Sequence, residues 1–156
     1  MIANRREMLA TSAKVASLML ASGLFGKAAE AAGPMAGKGV FEAKTLADVA
    51  RLLGYAAPVE SRDVTITAAD IAENGAVVQM AVASTLPNIK QLMLLVEKNP
   101  APLVAVFNLT PEVEPSVKAR AKMGQSSNVF AVAVTHDNKV LFAQKEVKVT
   151  LGGCGG

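Results

Sequence analysis

The chain has 156 residues, with 16 Lys and Arg against 13 Asp and Glu, one His, one Cys, no Trp, 51% hydrophobic residues and 4% aromatic ones. That length suffices for one compact domain with a real core, and a lone cysteine excludes an internal disulfide. Few aromatics and no clustered basic face exclude nucleic acid as a partner, while one Cys and one His make no metal-ligand cluster.

In chain order, Asn4-Arg5-Arg6-Glu7-Met8-Leu9 places two adjacent arginines ahead of apolar residues, and a weakly apolar stretch follows from Val15 to Phe25. Residues 1–31 read as a twin-arginine export signal, with Arg5 and Arg6 as its recognition pair. The apolar stretch is about 11 residues against the ~20 of a membrane span, so no membrane anchor is expected. Ala29-Glu30-Ala31 fits a signal-peptidase site, with Ala28 as a second candidate, and the mature chain is expected to begin near residue 32 in the periplasm. Removal of Arg5, Arg6, Lys14, Lys27, Glu7 and Glu30 leaves 12 basic and 11 acidic residues, so the net charge falls from +3 to +1.

Residues 32–62 read as linker and short helix. Gly33-Pro34-Met35-Ala36-Gly37-Lys38-Gly39 is a Gly-rich linker, and the one helix spans Thr45 to Gly54. Thr45 is its N-cap, Asp48 stands close to a capping-box position, Leu46, Val49, Ala50 and Leu53 share a face, and Gly54 is the stop. From Val64 the pattern changes to short β segments near 63–69, 76–84, 90–97, 102–109, 113–121, 127–135 and 139–150. Glu73-Asn74-Gly75 is a turn in which Gly or Asn takes a positive φ, and Asp137-Asn138 is a two-residue hairpin connection.

About seven strands with breaks every 8–12 residues predict an immunoglobulin-like antiparallel β-sandwich over 63–150. Lys118, Arg120 and Lys122 alternate with Val117, Ala119 and Ala121, which makes one face wet and the other core; this basic stripe is read as a solvated strand face rather than a site for an acidic partner. Phe130, Val132 and Val134 share a face. Leu92–Val96 and Leu103–Phe107 are apolar on both faces, more than a two-layer sandwich requires. Either a partner covers one sheet, or these strands lie beneath the helix or the N-terminal segment.

The chain ends Leu151-Gly152-Gly153-Cys154-Gly155-Gly156. Gly152, Gly153, Gly155 and Gly156 surround the thiol with residues that supply no packing and permit both halves of φ space, so residues 151–156 read as a flexible arm. Cys154 has no rigid base beside it, and His136 sits next to a turn, so a thiol enzyme is not supported. With no cationic neighbour in sequence, the thiol is expected near its ordinary value of about 8.5, and its activation falls to another protein. In an oxidising compartment it is expected to be reactive or paired between chains.

Val147-Lys148-Val149-Thr150-Leu151-Gly152-Gly153-Cys154-Gly155-Gly156 resembles the carboxy-terminal ending of the SoxY family, differing conservatively at Leu151. Asp70-Ile71-Ala72-Glu73-Asn74-Gly75 and Asn99-Pro100-Ala101-Pro102 are similar to weaker internal patterns of that family. The resemblance implies a non-enzymatic carrier without a cofactor of its own, which holds sulfur on Cys154 during thiosulfate oxidation. It also implies a heterodimer with a SoxZ-like β-sandwich. Further implied partners are a c-type haem enzyme that loads Cys154 as a thiosulfonate, a manganese-dependent hydrolase that releases sulfate and leaves a persulfide, and, in systems that have it, a sulfane dehydrogenase. The alternative on the same residue is a structural periplasmic sandwich crosslinked by an intermolecular disulfide.

Overall fold

The computed structural model describes residues 39–150. The expected export signal with Arg5 and Arg6, the expected linker up to Lys38, and residues 151–156, read as an arm with Cys154 and Gly152, Gly153, Gly155 and Gly156, lie outside the described residues. No helix among the described residues is long and apolar enough to cross a membrane.

Among the described residues, two helices precede the strands: α1 (Gly39–Glu42) and α2 (Leu46–Leu52). The α2 start follows the sequence pattern. Thr45 is extended at φ −132°, its Oγ1 accepts the Asp48 N–H at 3.0 Å, and its hydroxyl donates to the Asp48 carboxylate at 2.8 Å. The α2 end is a Schellman closure, with Gly54 at φ 72°, its N–H on Arg51 O and the Tyr55 N–H on Ala50 O. The single expected helix is therefore two, because Gly39, assigned to the linker, opens a further turn that buries Val40.

The strands are β1 (Val59–Glu60), β2 (Val64–Ala68), β3 (Ile71–Ala72), β4 (Val78–Ser84), β5 (Ile89–Val96), β6 (Leu103–Asn108), β7 (Ser116–Ala121), β8 (Ser127–Thr135) and β9 (Val140–Val149). One sheet has the order β1-β9-β8-β5-β6, with β3 also on β9, and the other has the order β2-β4-β7. All seven predicted strands are present in an antiparallel sandwich; β1 and β3 are two-residue additions that run parallel to β9.

Two apolar layers result. Between the sheets, Leu92, Leu94, Val96, Val129, Ala131 and Ala133 face Val64, Val78, Met80 and Val82. On the other side of the large sheet, Met93, Leu95, Val132 and Val134 pack with Val40, Val49, Ala50 and Leu53 of the helical segment. Thus β5 is buried on both faces by its own chain, and its apolar excess calls for no partner. Each such fully buried side chain contributes ~1.5–3 kcal/mol relative to exposure. β6 differs because it ends the sheet: Leu103 is buried, while Val104 through Phe107 are half-buried.

Lys118, Arg120 and Lys122 are exposed on β7 and just beyond it, as the alternation predicts. The β8–β9 turn, closed by the bond between Thr135 and Lys139, encloses three residues, 136–138, rather than two. Thr135 N–H donates to Lys139 O, Asn138 N–H donates to Thr135 O, and Asn138 takes φ 65°. That is a turn followed by a left-handed residue, the common three-residue hairpin.

Candidate functional site

The described chain stops at Thr150, four residues before Cys154, so the site is built from the root that carries the arm. β9 brings Val147, Lys148 and Val149 to that point, and β8 and β3 hold it on two sides. On one side Val147 pairs with Ser127, and Val149 N–H donates to Ser126 Oγ at 2.9 Å. On the other, Ile71 and Ala72 pair with Lys148 and Val149. Lys148 N–H donates to Asp70 O at 2.9 Å, and Thr150 N–H donates to Ala72 O at 3.1 Å. The last described residue is thus still tied into a sheet.

Asp70 contributes twice. Its backbone accepts from Lys148, and its carboxylate pairs with Lys145 Nζ at 3.0 Å, while the same ammonium donates to Ala68 O at 2.6 Å. Asn74 Oδ1 accepts the Ala76 N–H at 2.9 Å and shapes the following turn. Neither Asn74 nor Gly75 adopts positive φ; the positive-φ residues among those described are Gly54, Asn88 and Asn138. Gly75 is required instead by close approach. A Cβ there would lie 2.4 Å from Met123 O and 2.8 Å from Val149 Cγ1, and Met123 N–H donates to Gly75 O at 2.7 Å.

The internal patterns at 70–75 and 99–102 therefore serve the same end of the molecule. Residues 70–75 are the clamp on β9. Asn99 Nδ2 donates to Lys122 O at 2.8 Å, steadying the strand that delivers Met123 to Gly75. Ser126 falls between the predicted segments 113–121 and 127–135 and Lys145 within 139–150, and sequence reasoning assigns neither a role, since both act through contacts with distant residues. Ala72 also forms part of the lining of an open groove of ≈ 840 Å³ on the three-stranded sheet, together with Thr67, Gln79, Ala81, Lys118 and Arg120.

His136 is exposed in the hairpin before β9, its N–H donating to Asn88 O at 3.1 Å. Thr150 follows the other end of that ten-residue strand, about 30 Å away at the usual rise per residue. The root itself presents backbone amides, a threonine hydroxyl and apolar side chains. Among the described residues, no group of three or more His, Cys, Asp or Glu is arranged to hold a metal. The arrangement fixes the end of β9 in place.

The family model described as "Sulfur oxidation protein SoxY" matches residues 49–154 and so extends through Cys154. The chain is similar to the structure of the sulfur carrier protein SoxY from Chlorobium limicola f thiosulfatophilum, at 35% identity and TM-score 0.55, covering 60% of this chain and 84% of that one. It also resembles a superoxide reductase (neelaredoxin) from Ignicoccus hospitalis, at 19% identity and TM-score 0.51 over 57% of this chain and 81% of that one, a likeness of fold alone. No curated protein sequence matches. With the family model spanning most of the sandwich and reaching the arm, the chain belongs to the SoxY family of sulfur oxidation proteins.

Proposed function

We propose that this protein is a covalent sulfur carrier, exported under the Arg5-Arg6 signal to the periplasm, with Cys154 as its attachment point. The observation that carries the proposal is the clamped root: β9 is held through Thr150, and the thiol follows four residues later. Four extended residues at ~3.3–3.6 Å each take Cys154 about 14 Å from the domain. Gly152, Gly153, Gly155 and Gly156 keep the arm thin and let it turn. Covalent attachment to such an arm raises the effective concentration of the cargo at each enzyme it visits.

The chemistry fits a thiol activated elsewhere. In loading, the Cys154 thiol and thiosulfate form a new S–S bond, giving Cys–S–S–SO₃⁻, and release one proton and two electrons, which a c-type haem partner accepts. In unloading, water attacks the terminal sulfonate sulfur, the S–S bond to that group breaks, and sulfate leaves a persulfide on Cys154. A manganese-dependent hydrolase would carry out that step, and a sulfane dehydrogenase would oxidise the remaining sulfur in systems that have one. A SoxZ-like sandwich is the proposed permanent partner. These states are ordinary rungs of cysteine redox chemistry.

The test is Cys154→Ser in a reconstituted thiosulfate-oxidising system. Electron transfer to the haem partner and sulfate release are expected to stop while thermal stability is unchanged. Full turnover by the serine variant would contradict the proposal, as would turnover by the isolated wild-type chain.

A further inference from the structure

The two ends of the three-stranded sheet differ. β2 is bridged to β9 by the Lys145 ammonium, which donates to Ala68 O, while β7 pairs with β4 alone among the described strands. Ser84 N–H donates to Pro115 O, and the β4–β7 register sets Val82 against Val117, Ala81 against Lys118 and Gln79 against Arg120. By antiparallel alternation, Val117 and Ala119 turn their backbone groups toward β4, and Lys118 and Arg120 turn their N–H and C=O groups outward. Val117 and Ala119 also pack on the core between the sheets, so the exposed Lys118 and Arg120 side chains share the outer face, about 7 Å apart along the strand. Neither makes an ion pair among the described residues. In the row through Lys118, Ala81 and Thr67 are short, and they line the open groove of ≈ 840 Å³ together with both cations and one carboxylate, Glu73.

We propose that the β7 edge is a docking site for an extended acidic segment of a protein partner, which adds to the sheet as a strand with carboxylates at alternate positions facing Lys118 and Arg120. Backbone chemistry sets the shape of the occupant: outward N–H and C=O groups at alternate residues are matched by another strand. Charge sets its sequence. A residue opposite Lys118 in the new ladder shares its face, so carboxylates two residues apart meet both cations, and opposite charges across strands are stabilising. The same charges turn away a second copy of this chain, because pairing two β7 edges sets Lys118 and Arg120 against like charges. A small inorganic anion leaves the outward backbone groups unpaired and fills little of a groove of ≈ 840 Å³. On alternation alone the basic stripe reads as a solvated face; its place at the open end of a sheet makes it a template.

The test uses the mature full chain under thiol reductant and a capped heptapeptide with glutamates at its third and fifth positions and threonine elsewhere. Amide NMR is expected to show saturable shifts centred on β7 and, with peptide bound, slower amide exchange at Lys118 and Arg120. Lys118→Gln with Arg120→Gln is expected to weaken binding about fivefold or more. Lys44→Gln with Arg51→Gln makes the same charge change in the helical segment across the large sheet and is expected to stay within about twofold of wild type. A peptide of the same composition with its glutamates adjacent is expected to bind about fivefold or more weakly, since neighbouring residues of a strand face opposite sides. Melting temperatures of both double variants are expected to match wild type. Absence of saturable binding at millimolar peptide overturns the proposal, as does equal weakening by the two double variants, which would reduce the effect to net charge. Equal affinity for the two peptides, or shifts without slowed exchange at Lys118 and Arg120, overturns strand addition.

Discussion

Replacing Gly75 with alanine puts a methyl group 2.4 Å from the Met123 carbonyl oxygen and 2.8 Å from Val149 Cγ1. The valine methyl can rotate, but the carbonyl is backbone, held where Met123 N–H donates to Gly75 O at 2.7 Å. Forcing extra volume into a packed site costs ~1–3 kcal/mol, and weakening the Met123 bond adds ~1 kcal/mol. Loss of glycine's freedom in the unfolded chain offsets ~0.4–1 kcal/mol, leaving a net cost of roughly 1–3.6 kcal/mol. At on the order of 4 °C per kcal/mol for a domain of this size, the melting temperature should fall about 4–14 °C. The matched control is Gly124→Ala, one residue from Met123, where a Cβ meets nothing within 4 Å and φ is not positive. That variant should be neutral or slightly stabilising. Calorimetry on both decides the matter, and a Gly75→Ala melting temperature within about 2 °C of Gly124→Ala would refute the close-approach account.

Tyr55→Phe removes the hydroxyl that donates to Gln91 Oε1 at 2.6 Å, and Gln91, 5% exposed, in turn donates to Asn108 Oδ1 at 2.6 Å. An orphaned acceptor at a buried amide costs ~1–3 kcal/mol, so the urea midpoint should drop at constant slope, and an unchanged midpoint would show that the network contributes nothing. Asp137 is held at about 2, below its ordinary 3.8, by the Lys139 side chain first and the Thr135 hydroxyl second. Its folded value is depressed, so its contribution is present above the unfolded value and is lost as pH falls through about 2. Carboxyl titration by NMR should show that low midpoint, and Asp137→Asn should remove the corresponding acid limb from the stability profile; a midpoint near 3.8 would contradict the hairpin geometry.

The seven longer strands were legible because each carries its own signal. Strand β8 alternates sides, with Val129, Ala131 and Ala133 facing the other sheet and Phe130, Val132 and Val134 facing the helices. Thr45 and Gly54 marked both ends of α2 through local hydrogen bonding. The two-residue strands β1 and β3 were not legible, since Val59 pairs with Leu141 and Ile71 with Lys148, and no periodicity exists within two residues. The double-faced apolar run of β5 was visible, but whether helices or a partner covered it depended on where α1 and α2 dock. The reading of 151–156 as an arm rests on its glycines and lies outside the described residues, while the way the preceding segment is held was not legible. Gly75 is explained by Met123 and Val149, both more than 45 residues away in sequence, a contact that turn chemistry at Glu73-Asn74-Gly75 does not disclose.

The central claim is that Cys154 carries sulfur. Intact mass of the mature chain, taken after incubation with thiosulfate and the haem partner and followed by mapping of the C-terminal peptide, tests it most directly. The account predicts gain of one thiosulfate group, confined to the peptide containing Cys154, reversed by thiol reductant and absent in Cys154→Ser. A disulfide-linked dimer through Cys154, with no sulfur adduct under any of these conditions, would contradict it.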